Sequence, residues 1–233
     1  MEVQDYIALV LVYLIIAVSL ALSMYLEKKG YDGNITRKAV HIGVGNFVFV
    51  WWMFTESWIM LVFFTIPFAI LLFVAMFKGN PISKSKIGDI SNNRGHRTGL
   101  FLYAVSIMIM VLFFFDHWVA ASVGIVAMTY GDAFGSIIGK RYGRHKTING
   151  KSAEGSLGVF AFTAILGAVV ILFYGFLITN GYYDGTYEGL LPFWGLAAVA
   201  GAITAVAEML SPGEWDNIII PTLVALSLVA LGL

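Results

Sequence analysis

A carboxylate inside an apolar run is the first feature of this sequence that asks for a chemical explanation. Asp132, in Thr129-Tyr130-Gly131-Asp132-Ala133-Phe134-Gly135, precedes Lys140 by about eight residues, so a continuous helix carries it roughly 12 Å below the nearest cation. A charge held in hydrocarbon is costly and by default marks a functional site. The structural alternative is an ion pair with a nearby Lys or Arg. Two further acids lie near the ends of later apolar runs, Glu208 before Ser211-Pro212-Gly213 and Asp216 after it. Asp216 or its neighbour Asn217 is also a natural N-cap for the helix that follows. Asp132, Glu208 and Asp216 could supply carboxylate oxygens to Mg²⁺, a hard ion usually held by one or two carboxylates together with substrate phosphates. Glu154 joins them as a fourth candidate metal ligand, although an acid there also complements a helix dipole.

Cations stand beside these acids. Arg37 and Lys38 precede His41 by four and three residues, which puts all three on one side of a helix start, where the positive helix end favours an anion. A glycine-punctuated basic loop runs from Gly139 to Gly155 and contains Arg144, Lys146, Lys151, Ser152 and Glu154. Such a loop can wrap a polyphosphate. Its Gly-Lys-Ser is not a Walker motif, because the upstream glycine is missing and the segment leads into an apolar helix. The candidate catalytic residues are therefore Asp132, Lys151 and His41. The candidate phosphate contacts are Arg37, Lys38, Arg144, Lys146, Lys151 and Ser152, with Asn217 as a further polar neighbour.

The elements that position these residues must lie in a membrane. The chain is 59% hydrophobic and 12% charged, which is incompatible with an ordinary water-soluble domain of 233 residues. Windows of about 20 apolar residues place eight spans near 6–26, 40–55, 57–77, 98–115, 117–139, 155–179, 190–209 and 217–233. The second and the last are short. All 14 Lys and Arg fall in three loops. The first holds Lys28, Lys29, Arg37 and Lys38, the second Lys78, Lys84, Lys86, Arg94 and Arg97, and the third Lys140, Arg141, Arg144, Lys146 and Lys151. The positive-inside rule then puts these loops in the cytoplasm and both termini on the other side. The expected fold is an all-α, polytopic transmembrane bundle of about eight helices, forming one membrane domain over residues 1–233. Gly131, Gly135 and Gly139 recur every four residues in the fifth span, and Ala197, Gly201 and Ala205 do so in the seventh, which predicts that these two helices pack together. The acidic start, Met1 to Asp5, lacks the charge pattern of a cleaved signal peptide. A net charge of zero gives no global field for nucleic acid, and the absence of Cys removes disulfides, thiolate metal sites and thiol nucleophiles.

Taken together and in this order, Arg37-Lys38-x-x-His41, Gly131-Asp132-Ala133, the run Gly139 to Gly155 with Lys151-Ser152-x-Glu154-Gly155, and Glu208 with Asp216-Asn217-x-x-x-Pro221 resemble the CTP-dependent lipid alcohol kinases. That family includes phytol kinase, dolichol kinase and the CTP-dependent diacylglycerol kinase. The resemblance spans about residues 37–222. It implies transfer of the γ-phosphoryl of CTP to the hydroxyl of an isoprenoid or other lipid alcohol, with a divalent metal such as Mg²⁺ and release of CDP. By position it assigns Arg37, Lys38 and Asp132 to the family's essential basic pair and acid. The expected partners are the lipid alcohol, CTP and membrane lipids, with the reaction at the cytoplasmic interface of a multi-pass membrane protein. Residue patterns leave Asp132 open as either a base or a metal ligand. Two other functions are consistent with parts of the pattern. A CTP:phosphatidate cytidylyltransferase shares some of the loop but ends in a different acidic tract, and a transporter or flippase would place its polar groups nearer the midplane. Arg94, His96 and Arg97 are loop residues that headgroups and water account for.

Overall fold

The computed structural model describes residues 1–85, 88, 98–185 and 189–233. Among them every regular element is helical, and the strand-like content is an isolated bridge between Lys146 and Ser152. Eight helices follow one another among the described residues: α1 Val3–Lys28, α2 Gly33–Gly45, α3 Ser57–Ala75, α4 Gly99–Phe113, α5 Trp118–Tyr142, α6 Ala153–Thr179, α7 Phe193–Leu210 and α8 Asp216–Ala230. Five of them, α1, α3, α5, α6 and α7, are long and apolar enough to cross a bilayer. This is the helical membrane bundle expected from the apolar windows. Lys86, Arg94, His96 and Arg97 lie outside the described residues.

One span differs from expectation. The apolar run 40–55 is not one helix: α2 begins earlier, at Gly33, and ends at Gly45, after which short 3₁₀ turns cover Asn46–Phe49 and Trp51–Met53. Asn46 supplies the physical reason. Its side-chain amide donates to the carbonyls of Ile42 and Gly43, both at 3.1 Å, and so competes with the backbone ladder at the point where α2 stops.

The chain divides into two compact units, Met1–Leu112 and Phe113–Leu233. In the first, α1 and α2 approach so closely that a Cβ on Gly43 would strike the Ser19 side chain. Within α3, a wide π turn covers Leu61–Thr65, just before Pro67. Proline has no N–H, so the carbonyl of Phe63 loses its helical donor. The Tyr13 hydroxyl of α1 donates to that carbonyl instead, at 2.6 Å. At the start of α1, Asp5 is fully buried and accepts from the Thr55 backbone N–H at 2.8 Å, fixing α1 to the turn before α3.

In the second unit α6 lies against both α5 and α7. A Cβ on Gly201 of α7 would come within 2.7 Å of the Phe160 carbonyl of α6, so glycine is what lets those backbones meet. The α5 to α8 contact is just as close, with Gly124 facing the Pro221 carbonyl. Bulky side chains on the outer faces, including Leu157, Ile165 and Leu172 of α6, are exposed and suit a lipid solvent.

Candidate active site

Asp132 owes its position to a break in helix regularity. A π turn covers Ala127–Gly131 inside α5 and ends on the residue before Asp132, the kind of local widening that often accompanies functional sites. Thr129 returns its hydroxyl to the Ile125 carbonyl at 2.9 Å within that turn. Below Asp132 the glycine stripe continues, and here the structure corrects the expected pairing. The stripe faces α6 rather than α7: a Cβ on Gly135 would strike Val159, and one on Gly139 would lie 3.1 Å from Ser152 Oγ and 3.3 Å from the Gly155 Cα. A short connection makes α5 and α6 an antiparallel pair, and α6 carries its own glycines at 155 and 158 to meet the stripe. Helix α7 reaches α5 at Gly131, where a Cβ would lie 3.5 Å from Thr204 Cγ2.

The basic loop between α5 and α6 is a built structure. The Thr147 N–H donates to the Lys151 carbonyl and the Ala153 N–H to the His145 carbonyl, both at 2.9 Å, which closes the loop on itself. Ser152 caps α6 by accepting from the Gly155 N–H at 3.2 Å. At the tip, Asn149 adopts a left-handed φ of 57° and is followed by Gly150 at 73°. Its side-chain amide donates to the carbonyls of Met209 and Leu210 at 3.2 and 3.4 Å, tying the loop tip to the C-terminus of α7. Glu154 fastens the base of the loop. It accepts from the Arg144 N–H at 3.1 Å and lies 2.7 Å from His145 Nδ1.

These elements enclose a polar pocket of about 490 Å³. Asp132, Lys146, Lys151, Ser152 and Glu208 line it, with the backbone of Gly135, Gly139 and Gly155 forming part of the wall. Lys151 Nζ pairs directly with Glu208 Oε1, and Glu208 is almost completely buried. Asp216, also nearly buried, is close enough that its charge acts on Lys151, Asp132 and Glu208. Asn217 steadies it by donating a 3.0 Å hydrogen bond from its side-chain amide to Asp216 Oδ1. Burial works to lower the pKa of the Lys151 ammonium, but the hydrogen bond and charge of Glu208, with the charges of Asp132 and Asp216, outweigh it and raise the pKa above the ordinary lysine value. Lys151 is therefore a fixed cation among three acids.

The structure thus brings Asp132, Lys146, Lys151, Ser152, Glu208 and Asp216 to one place. It sets Glu154 and Arg144 outside the pocket lining, Glu154 as the loop's clasp and Arg144 with an exposed side chain. Arg37, Lys38 and His41 stand on α2 of the first unit. The two cations are half-buried, and the His41 ring packs 4.1 Å from that of Tyr103, whose hydroxyl donates to the His41 carbonyl at 3.3 Å. Ser136, Lys140 and Ser156 of the pocket lining, and Asn149 at the loop tip, were missed from sequence. Ser136 and Lys140 line the pocket one and two turns after Asp132, a spacing that could have found them. Asn149 could have been found from its Asn-Gly turn signal.

Among the described residues, no three His, Cys, Asp or Glu side chains form a group that could hold a metal ion by themselves. The donors that are present are hard carboxylate oxygens, which suit Mg²⁺ when phosphate oxygens complete its shell.

Comparison with known proteins gives one consistent result. The chain is 32% identical over 196 residues to the phytol kinase of Synechocystis sp., a match covering 81% of this chain and 75% of that protein. It is 28% identical over 207 residues to a probable chloroplastic phytol kinase of Zea mays, covering 84% of this chain and 66% of the relative. A probable chloroplastic phytol kinase of Triticum aestivum is 26% identical over 206 residues, with the same coverage of both chains. No protein-family model matches the chain, and no solved structure matches it significantly.

Proposed function

The chain belongs to the phytol kinase family of lipid alcohol kinases, and we propose that it transfers the γ-phosphoryl group of CTP to the hydroxyl of an isoprenoid alcohol of the phytol type. The observation that carries this reading is the pocket in which Lys151, held by Glu208, faces Asp132 on a helix of the membrane bundle. Phosphoryl transfer asks a protein mainly for positioning and charge neutralisation. Lys151 and Lys146 neutralise the nucleotide's phosphates, and the glycine-lined wall lets phosphate oxygens approach the backbone. The family resemblance adds Arg37 and Lys38 to the phosphate contacts.

The alcohol oxygen attacks the γ-phosphorus, the bond from that phosphorus to the β,γ-bridging oxygen breaks, and CDP leaves with its electron pair. The alcohol proton passes to the Asp132 carboxylate. Asp216, steadied by Asn217, would hold Mg²⁺ jointly with the nucleotide's phosphates, and the ion supplies charge neutralisation there. The lipid keeps its chain in the bilayer while its hydroxyl meets a water-soluble nucleotide at the basic, cytoplasmic face.

Product analysis tests the reading. Membranes containing the protein, given phytol, Mg²⁺ and either CTP or ATP, are expected to yield CDP and phytyl monophosphate with CTP as the preferred donor. Release of pyrophosphate with a CDP-linked lipid would instead establish nucleotidyl transfer.

A further inference from the structure

Two serines line the active-site pocket without a part in the chemistry described so far. Along α5, Asp132, Ser136 and Lys140 recur every four residues and all line the pocket, so one face of the helix presents an acid, a hydroxyl and a cation at steps of about 6 Å along its axis. Ser156 lines the facing wall on α6. The close packing of the two helices fixes its height. A Cβ on Gly155 would lie 3.1 Å from the Gly139 Cα and 3.2 Å from the Gly135 carbonyl oxygen, so Gly155 stands between the levels of those two glycines. Because α6 runs antiparallel to α5, the residue after Gly155 steps back toward the level of Ser136. Two hydroxyls therefore stand at one height, about one turn from Asp132 on one side and one turn from Lys140 on the other.

Ser156 is also in an unusual state. Its oxygen is buried and has no hydrogen-bond partner, and among the described residues it is the one pocket-lining side chain in that condition. Ser152, one turn earlier, uses its hydroxyl to cap α6. Leaving a buried hydroxyl unpaired is unfavourable. A hydroxyl that no bond holds can turn about χ1 to an incoming acceptor without breaking one. The surroundings select that acceptor. Lys140, Lys146 and Lys151 favour an anion, and the glycine wall leaves room for several oxygens beside the two serines. We propose that Ser136 and Ser156 hold the transferring phosphoryl group, donating to non-bridging oxygens of the nucleotide's γ-phosphate at the level between Asp132 and Lys140. Both serines keep their protons throughout, and their hydroxyls stabilise the charge that spreads over those oxygens as the phosphoryl group moves. The proposal rests on the lipid kinase reading and adds to it the contacts that distinguish the transferred group from the part of the nucleotide that leaves.

The test uses the full-length protein in membranes, carrying Ser136→Ala or Ser156→Ala, and measures phosphorylation of phytol by CTP together with inhibition by CDP, which lacks the γ-phosphate. Each variant is expected to lower kcat about ten- to a hundredfold, the effect of losing one hydrogen bond to a charged group. The inhibition constant of CDP is expected to stay at the wild-type value. Alanine keeps a small side chain between the helices and at position 156 removes an unpaired hydroxyl, so neither Tm is expected to fall. The proposal is overturned if either variant keeps the wild-type kcat, if CDP inhibition weakens in parallel with turnover, or if the loss of turnover comes with a lowered Tm, which would make the serine a packing residue. Wild-type protein that phosphorylates no alcohol would overturn the kinase reading as well, whereas an active wild type with indifferent variants overturns the role of the serines alone.

Discussion

Lys151 and Glu208 hold each other in a pocket where Glu208 alone would be an uncompensated buried charge. Removing Lys151 as Lys151→Met strands the buried Glu208, and because the Lys151 side chain retains 30% exposure the expected loss of stability is about 1–3 kcal/mol rather than the full buried-pair penalty. Thermal unfolding in detergent measures it, and Glu208→Gln, which keeps an acceptor for the ammonium, is expected to cost less. The pH dependence has a definite sign. The pKa of Lys151 is raised in the folded protein, so the stability contributed by this ammonium's raised pKa is present in full below the ordinary lysine value of 10.5 and is lost only as pH rises through the raised value. This group therefore contributes no stability change between about pH 6 and 9. The place of Asp132 in a polar pocket was legible from sequence because a carboxylate in an apolar run has few explanations. The role of Glu154 was not, because an acid at a helix start carries the same signature whether it binds metal, complements a dipole or, as here, accepts N–H groups from the loop before it.

At the scale of elements, the eight apolar runs gave the helices with good boundaries because membrane thickness fixes the length of a span. The exception was α2, where an Asn side chain and a run of aromatics replaced the expected helix end by 3₁₀ turns. Glycine periodicity identified a packing face on α5 without identifying what packs there, since α6 and α7 both carry small residues. The close α5 to α6 contact predicts that Gly139→Val forces the two backbones apart and destabilises the protein by about 1–3 kcal/mol, seen as a lowered Tm and reduced yield in membranes. The loop offers a contrasting test. Asn149→Ala removes the two bonds to the end of α7 but no buried packing. It is expected to raise KM for the nucleotide several-fold with little change in Tm, and an unchanged KM would show that the loop tip has no part in nucleotide binding.

For the whole molecule, the distribution of charge predicts an orientation. All 14 Lys and Arg fall in three stretches of sequence, 28–38, 78–97 and 140–151, and the positive-inside rule predicts both termini on the opposite side. The native chain has no cysteine, so single cysteines placed at Lys29, Lys84, Arg144 and near residue 2 can be labelled with a membrane-impermeant reagent without background. The first three are expected to be protected in intact cells and the last to react, whereas mixed labelling among the three basic segments would contradict that orientation. The same preparations carry the most direct test of the account, which is turnover of Asp132→Asn at saturating CTP and Mg²⁺ in protein shown by labelling to be correctly inserted. Loss of its proton acceptor predicts a kcat lower by about a hundredfold or more with phytol as acceptor. Normal turnover by Asp132→Asn would contradict the assignment of this pocket as the active site.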